Sequence, residues 1–146
     1  MRYTCLIILS SFLISGSNWQ TDIVKAKQLA QAEHKNILLN FSGSDWCGPC
    51  IHLEKDIFEN KAFSDYADDH LVLLNADFPR LKKHQLSDDQ QKKNDQLADT
   101  YNKDGIFPLT LLLSPEGKVL KKWEGFPRVT AGEFTNEVKS IDNAGH

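Results

Sequence analysis

Apolar and polar positions follow two rhythms along the chain. From Thr21 to Lys35, Ile23, Ala26, Leu29 and Ala30 recur at three- and four-residue spacing with Lys, Gln and Glu between them. That is the period of an amphipathic helix, with Thr21 as its expected cap. Ile37-Leu38-Leu39-Asn40-Phe41 is a short, mostly apolar run closed by Ser42-Gly43-Ser44, as in a strand buried on both faces. A second helix is expected to start near Cys47, so that Cys50, Leu53 and Ile57 share one face, and to end around Asn60. Phe63, Tyr66 and Ala67 suggest one or two further helical turns, and Leu71 to Ala76 is a second buried strand.

Between Arg80 and Asn94 the chain is almost wholly polar, and such runs usually form a solvated face. From Ser87 it can continue as a helix that buries Leu97, Ala98 and Tyr101 and stops near Gly105. Leu109 to Leu113 and Val119 to Trp123 read as an antiparallel hairpin. Its connection, Ser114-Pro115-Glu116-Gly117, puts Pro and Gly at the second and fourth positions of a tight turn. Thr130 and Glu133 form a capping box ahead of Phe134, Val138 and Ile141 on a last helix. Two parallel strands joined by a crossover helix, with a hairpin on the same sheet, make a three-layer α/β domain with helices on both faces of a mixed sheet.

Composition narrows the class. With 146 residues, 40% apolar and 25% charged, the chain fits one globular domain. A net charge of -3 provides no broad basic face for a phosphate backbone, so nucleic-acid binding is not expected. The first 17 residues stand apart. Arg2 supplies a positive start, Cys5 to Ile14 is apolar except for Ser10 and Ser11, and Ser15-Gly16-Ser17 offers small residues for cleavage, as in a secretory signal. The run is shorter than the roughly 20 apolar residues a membrane span needs. Residues 1–17 are therefore expected to be a signal peptide and 18–146 an exported, periplasmic domain. Its removal takes Arg2 and no acid, moving the charge from -3 to -4 and leaving 129 residues, 146 less 17.

Without Cys5 the domain keeps one pair, Cys47 and Cys50, in Trp46-Cys47-Gly48-Pro49-Cys50 at the expected start of a helix. A thiolate at Cys47 faces unpaired backbone N–H groups and the positive end of the helix dipole, which lower its pKa. Cys50 lies about one turn deeper, placed to attack a mixed disulfide on Cys47. Gly48 and Pro49 shape the first turn, where the N–H that proline lacks would be unpaired anyway.

With these residues in view, the chain resembles the thioredoxin superfamily from roughly Gln20 to Ile141. Trp-Cys-Gly-Pro-Cys is one of its more specific signatures, and Phe107-Pro108-Leu109-Thr110, leading into a strand, resembles the loop that holds a cis-proline beside the cysteines. Phe41-Ser42-Gly43-Ser44-Asp45-Trp46-Cys47 is similar to an exported bacterial subgroup, as is Asp77-Phe78-Pro79-Arg80, although the latter is equally a strand stop. The resemblance implies reversible thiol–disulfide exchange on protein substrates by a Cys47–Cys50 redox pair, with no metal or organic cofactor. It also implies a monomer, with a membrane electron relay if the direction is reductive, as the Gly-Pro dipeptide suggests. Two departures stand out. Asn40 takes the position of thioredoxin's buried acid, so Asn40→Asp is expected to speed release of the mixed disulfide. The polar stretch between Pro79 and Leu97 is longer than in thioredoxin, either to contact a partner or as a decorated surface.

Rival chemistries fit less well. A zinc site needs four ligands, and no second cysteine pair or spaced histidines supply them. Haem attachment needs a histidine directly after Cys50, where Ile51 stands. His52 either adds positive potential near the thiolate or is an exposed helix residue. Asp45 and Trp46 flank the nucleophile, Trp46 either offering a surface to substrate or packing as a wedge. The remaining alternative is a binding module or chaperone in which Cys47 and Cys50 form an inert disulfide.

Overall fold

The computed structural model describes residues 18–144, so the expected signal segment and Cys5 lie outside the described residues. Its elements are α1 (Ile23–Glu33), β1 (Asn36–Ser42), α2 (Gly48–Leu53), α3 (Lys61–His70), β2 (Leu71–Asp77), α4 (Asp88–Tyr101), β3 (Leu109–Leu113), β4 (Val119–Glu124) and α5 (Ala131–Ala144). The sheet order is β2-β1-β3-β4. β1 runs parallel to β2 and antiparallel to β3, and β3–β4 is the expected hairpin.

Every residue of β1 is buried, because β1 lies inside the sheet and both its faces are covered. Ile37, Leu39 and Phe41 pack with Ala26 and Ala30 of α1 and Leu97 of α4. On the opposite face Leu38 packs with Leu53 of α2, Phe63 of α3 and Phe134 of α5. This alternation builds the three layers. Gln20 adds a short parallel bridge to β2, donating from its N–H to the Leu73 carbonyl at 2.7 Å and accepting from the Asn75 N–H at 2.9 Å. Trp19 beside it packs on Phe58.

Local chemistry sets most element ends. Asp22 and not Thr21 caps α1, because its carboxylate reaches the N–H groups of Val24 and Lys25. The second helix does not run unbroken to Asn60: after Leu53 it widens into a π turn over Glu54–Phe58, closed by the Glu59 N–H on the Glu54 carbonyl at 2.8 Å. Asn60 instead caps α3, which is ten residues long where one or two turns were expected. Lys61 and Asp65, 2.7 Å apart, support its exposed side. The hairpin turn closes with Gly117 N–H on Ser114 at 2.9 Å, and φ of +95° at Gly117 explains the glycine there. The capping box forms as expected: Glu133 Oε2 accepts from the Thr130 N–H at 2.8 Å, and Thr130 Oγ1 from the Glu133 N–H at 3.2 Å.

The polar stretch is less solvated than its composition implies. Asn94 is buried, with its amide on the Asp77 carbonyl at 2.8 Å and its oxygen accepting from Gln90. It ties α4 to the end of β2.

Candidate active site

The site lies at the carboxyl end of β1, where the chain order turns from a parallel neighbour on one side to an antiparallel one on the other. Such positions leave a crevice between the loops above the sheet. After Ser42 the backbone folds back on itself. The N–H groups of Trp46 and Cys47 both donate to the Gly43 carbonyl, at 3.2 and 2.9 Å, which delivers Cys47 to the N-cap of α2.

Cys47 and Cys50 form a disulfide with Cα atoms 5.2 Å apart. The Cys50 N–H donates to Cys47 Sγ at 3.3 Å, so the cap sulfur takes up one of the helix's free donors. Gly48 and Pro49 form the exposed first turn. The expected place of Cys50 a turn deeper than Cys47 does not make the two differ in burial in this oxidised form. Cys47 is 5% exposed and Cys50 2%, since each bonded sulfur covers the other. What distinguishes them is the cap position.

Two cavities flank the pair. One, of about 450 Å3, is lined by Pro49, His52, Asp56, Phe107, Pro108, Phe126 and Arg128. The Phe107–Pro108 peptide is cis, and the Phe107 ring meets Trp46 edge-on at 5.4 Å and Phe78 at 5.5 Å. His52 is mostly exposed, with Nδ1 3.4 Å from Asp56.

The second, of about 530 Å3, is lined by Cys50, Glu54, Glu59, Asn75, Ser42 and Trp19 among others. Glu54 follows Cys50 by one helical turn, and its N–H donates to the Cys50 carbonyl. Loss of water around its carboxyl, and secondarily the charge of Glu59, push it above the ordinary carboxylate value. The sequence reading passed over Glu54, although its four-residue spacing from Cys50 placed it on the same helix face. Asn40 is buried but committed elsewhere, donating to Asn75 Oδ1 and accepting from Thr110 Oγ1, each at 3.2 Å. It is Asn75 that lines the cavity beside Cys50.

Asp45 and Trp46 hold a neighbouring segment in place. Asp45 accepts from the N–H groups of Arg80 and Leu81 at 2.9 and 3.0 Å and lies 3.0 Å from His84 Nδ1. The Arg80 bond above all holds its carboxyl below the ordinary range. Trp46 donates from Nε1 to the Phe78 carbonyl at 2.7 Å, and the Arg80 guanidinium lies 3.7 Å from its ring centroid. Asp77-Phe78-Pro79-Arg80 is thus more than a strand stop, since Asp77 also binds the Ser44 hydroxyl and N–H. Among the described residues no group of three or more His, Cys, Asp or Glu could hold a metal, and no helix is long and apolar enough to cross a membrane.

A family model described as Thioredoxin-like matches residues 18–115. The disulfide bond reductase DsbH of Chlamydia pneumoniae is 34% identical over 128 residues, covering 87% of this chain and 75% of that protein. The thioredoxin-related protein DsbJ of the same organism is 27% identical over 122 residues, which cover 84% of this chain but 32% of DsbJ. Among solved structures, DsbH oxidoreductase superposes with a TM-score of 0.77 at 30% identity, covering 96% of this chain and 95% of the other. A thioredoxin from Thermus thermophilus shares the fold, with a TM-score of 0.64 at 17% identity over 86% and 88% of the two chains.

Proposed function

The chain belongs to the thioredoxin-like family, and from that premise we propose that it is an exported thiol–disulfide oxidoreductase that reduces disulfides in other exported proteins. The observation that carries this reading is the place of Cys47. Its sulfur sits at the N-cap of α2 and receives the Cys50 N–H, so a thiolate formed there gains a hydrogen-bond donor and the positive end of the helix.

In the reduced protein the Cys47 thiolate attacks one sulfur of a substrate disulfide. That S–S bond breaks, its other sulfur leaves as a thiolate, and a mixed disulfide forms. Cys50 then gives its proton to Glu54, the carboxylate in its own cavity, and attacks Cys47 Sγ. The second substrate sulfur leaves as a thiolate, and the pair has passed two electrons to the substrate. Trp46, Phe107 and Pro108 form the walls along which a substrate segment lies, beside the turn shaped by Gly48 and Pro49.

Export rests on residues 1–17, whose Arg2, apolar run and small residues have the layout of a secretory signal. The reducing direction is supported by the Gly-Pro dipeptide and by the name of the DsbH relative. The pair works in the monomer, and a membrane electron relay returns it to the dithiol after each turnover. Purified protein, reduced and mixed with insulin, is expected to precipitate the insulin B chain. Equilibration with glutathione is expected to give a potential near that of reducing members, about −270 mV. An inert disulfide in a binding module would leave insulin intact and overturn the reading.

A further inference from the structure

We propose that the segment Arg80–His84 is a preformed basic arm that selects substrates carrying carboxylates beside their disulfide; this rests on the oxidoreductase reading and names its substrate class. Arg80, Lys82 and Lys83 crowd three cationic groups into four residues, with His84 beside them, all exposed. The segment is fixed against the site. Asp45, two residues before Cys47, holds the N–H groups of Arg80 and Leu81 and the ring of His84, while Trp46, next to Cys47, holds the Phe78 carbonyl. A short 3-10 turn over Lys82–His84 completes it.

The charge of this arm is free to act outward. Asp45 is spent on two backbone donors and His84, and Arg80 lies over the Trp46 ring. Lys82 and Lys83 make no ion pair among the described residues. The acids nearest in sequence are Asp77, whose carboxylate is taken up by the Ser44 hydroxyl and N–H, and Asp88 and Asp89, which open α4, where Asp89 pairs with Lys93. Across the site Arg128 adds a second cation at the cavity of Pro108. The chain as a whole carries a net charge of -3, yet Arg80, Lys82 and Lys83 gather on the segment that Asp45 and Trp46 tie to the active site, while Asp56, Glu54 and Glu59 line its cavities. A basic rim raises the local concentration of acidic partners and orients them before contact, an effect that salt screens. Leu81, 46% exposed between the cations, adds an apolar foothold. Because the arm is held in shape before binding, little ordering entropy opposes docking.

The test uses pre-reduced full-length protein and two synthetic peptides with the same internal disulfide, flanked by Glu in one and by Lys in the other. Second-order rate constants are measured at low and high salt. The Glu peptide is expected to react about tenfold faster at ~10 mM salt, with the rates converging at ~0.5 M. Lys82→Glu combined with Lys83→Glu is expected to abolish or invert the preference. Lys118→Glu, at the far end of the β3–β4 hairpin, reverses one lysine charge away from the site and keeps the preference. Equal rates in the wild type, a preference that ignores salt, or one that survives the double variant would overturn the docking arm while leaving the oxidoreductase reading intact. Binding to anionic lipid vesicles with no peptide preference would overturn it in favour of a membrane contact. Failure to reduce either peptide would overturn both readings.

Discussion

The indole of Trp46 packs so closely against Gly43 that a Cβ at position 43 would clash with three of its ring atoms, Cε2, Cζ2 and Nε1. The close approach follows from the loop: both N–H groups that turn the chain into α2 converge on the Gly43 carbonyl. The same indole holds Phe78, Phe107 and Arg80. A residue without a side chain is thus what allows the tryptophan before the nucleophile to anchor its surroundings.

Gly43→Ala is therefore expected to push the indole off its bond to Phe78 and to destabilise the fold by about 1–3 kcal/mol, the usual range for overpacking. Urea unfolding followed by tryptophan fluorescence reads both effects. An unchanged midpoint and spectrum would show that the loop yields freely.

The two cysteines are expected to behave asymmetrically, because Cys47 is the one at the helix cap. Cys50→Ala should retain substrates covalently on Cys47, visible as bands lost on adding dithiothreitol, whereas Cys47→Ala should retain none. The reverse pattern would exchange the roles.

Release of the mixed disulfide is expected to depend on Glu54. Its raised pKa means that the carboxylate needed to take the Cys50 proton is present only above that value, so the resolving rate should fall as pH drops through it. Glu54→Gln should slow single-turnover release about tenfold at pH 7, at the low end of what one positioned base contributes. The same raised pKa gives a stability contribution that is full below the ordinary 4.5 and lost as pH rises through the folded value. Glu54→Gln should therefore be relatively more stable at pH 7 than at pH 4 by urea titration. Asn40→Asp, expected from the sequence alone to speed release, should instead cost stability and leave the release rate unchanged, because Asn40 is held by Asn75 and Thr110.

For the basic arm, the relevant titration is that of Asp45. Its carboxyl is held below the ordinary 3.8, mainly by the Arg80 N–H, so the stabilisation is complete above 3.8 and disappears as pH falls through the lower folded value. Amide exchange at Arg80 and Leu81 should be protected at pH 5 and lose protection in that acid window. Asp45→Ala should remove the protection at every pH.

Away from the site, Asp142 is buried and accepts from Asn36 Nδ2 at 2.7 Å and from the Tyr66 hydroxyl at 2.5 Å, joining α5 to β1 and α3. Burial first, and then the bond to Asp142, hold the Tyr66 phenol protonated well above its ordinary range. Tyr66→Phe should lose about 1–3 kcal/mol in chemical denaturation, as expected for a hydrogen bond to a charged group.

Several features were legible from spacing alone because their physics is local. The apolar period of Ile23, Ala26 and Ala30 marks a face that must be buried, and the Thr130–Glu133 box closes within one helical turn. The cysteine pair at a helix start is equally a matter of three residues. Tertiary structure decided what Asn40, Asp45, Asn94 and Glu54 do. Asp45 meets Arg80 across 35 positions, and Asn40 meets Thr110 across 70. Asn94 sits in a run of charges yet is buried by its bond to the Asp77 carbonyl. Such contacts exist only because the β2-β1-β3 order brings distant strand ends together. A hydrogen bond between residues that far apart leaves no periodic trace in the chain, since its geometry depends on which strands are neighbours and not on which residues are.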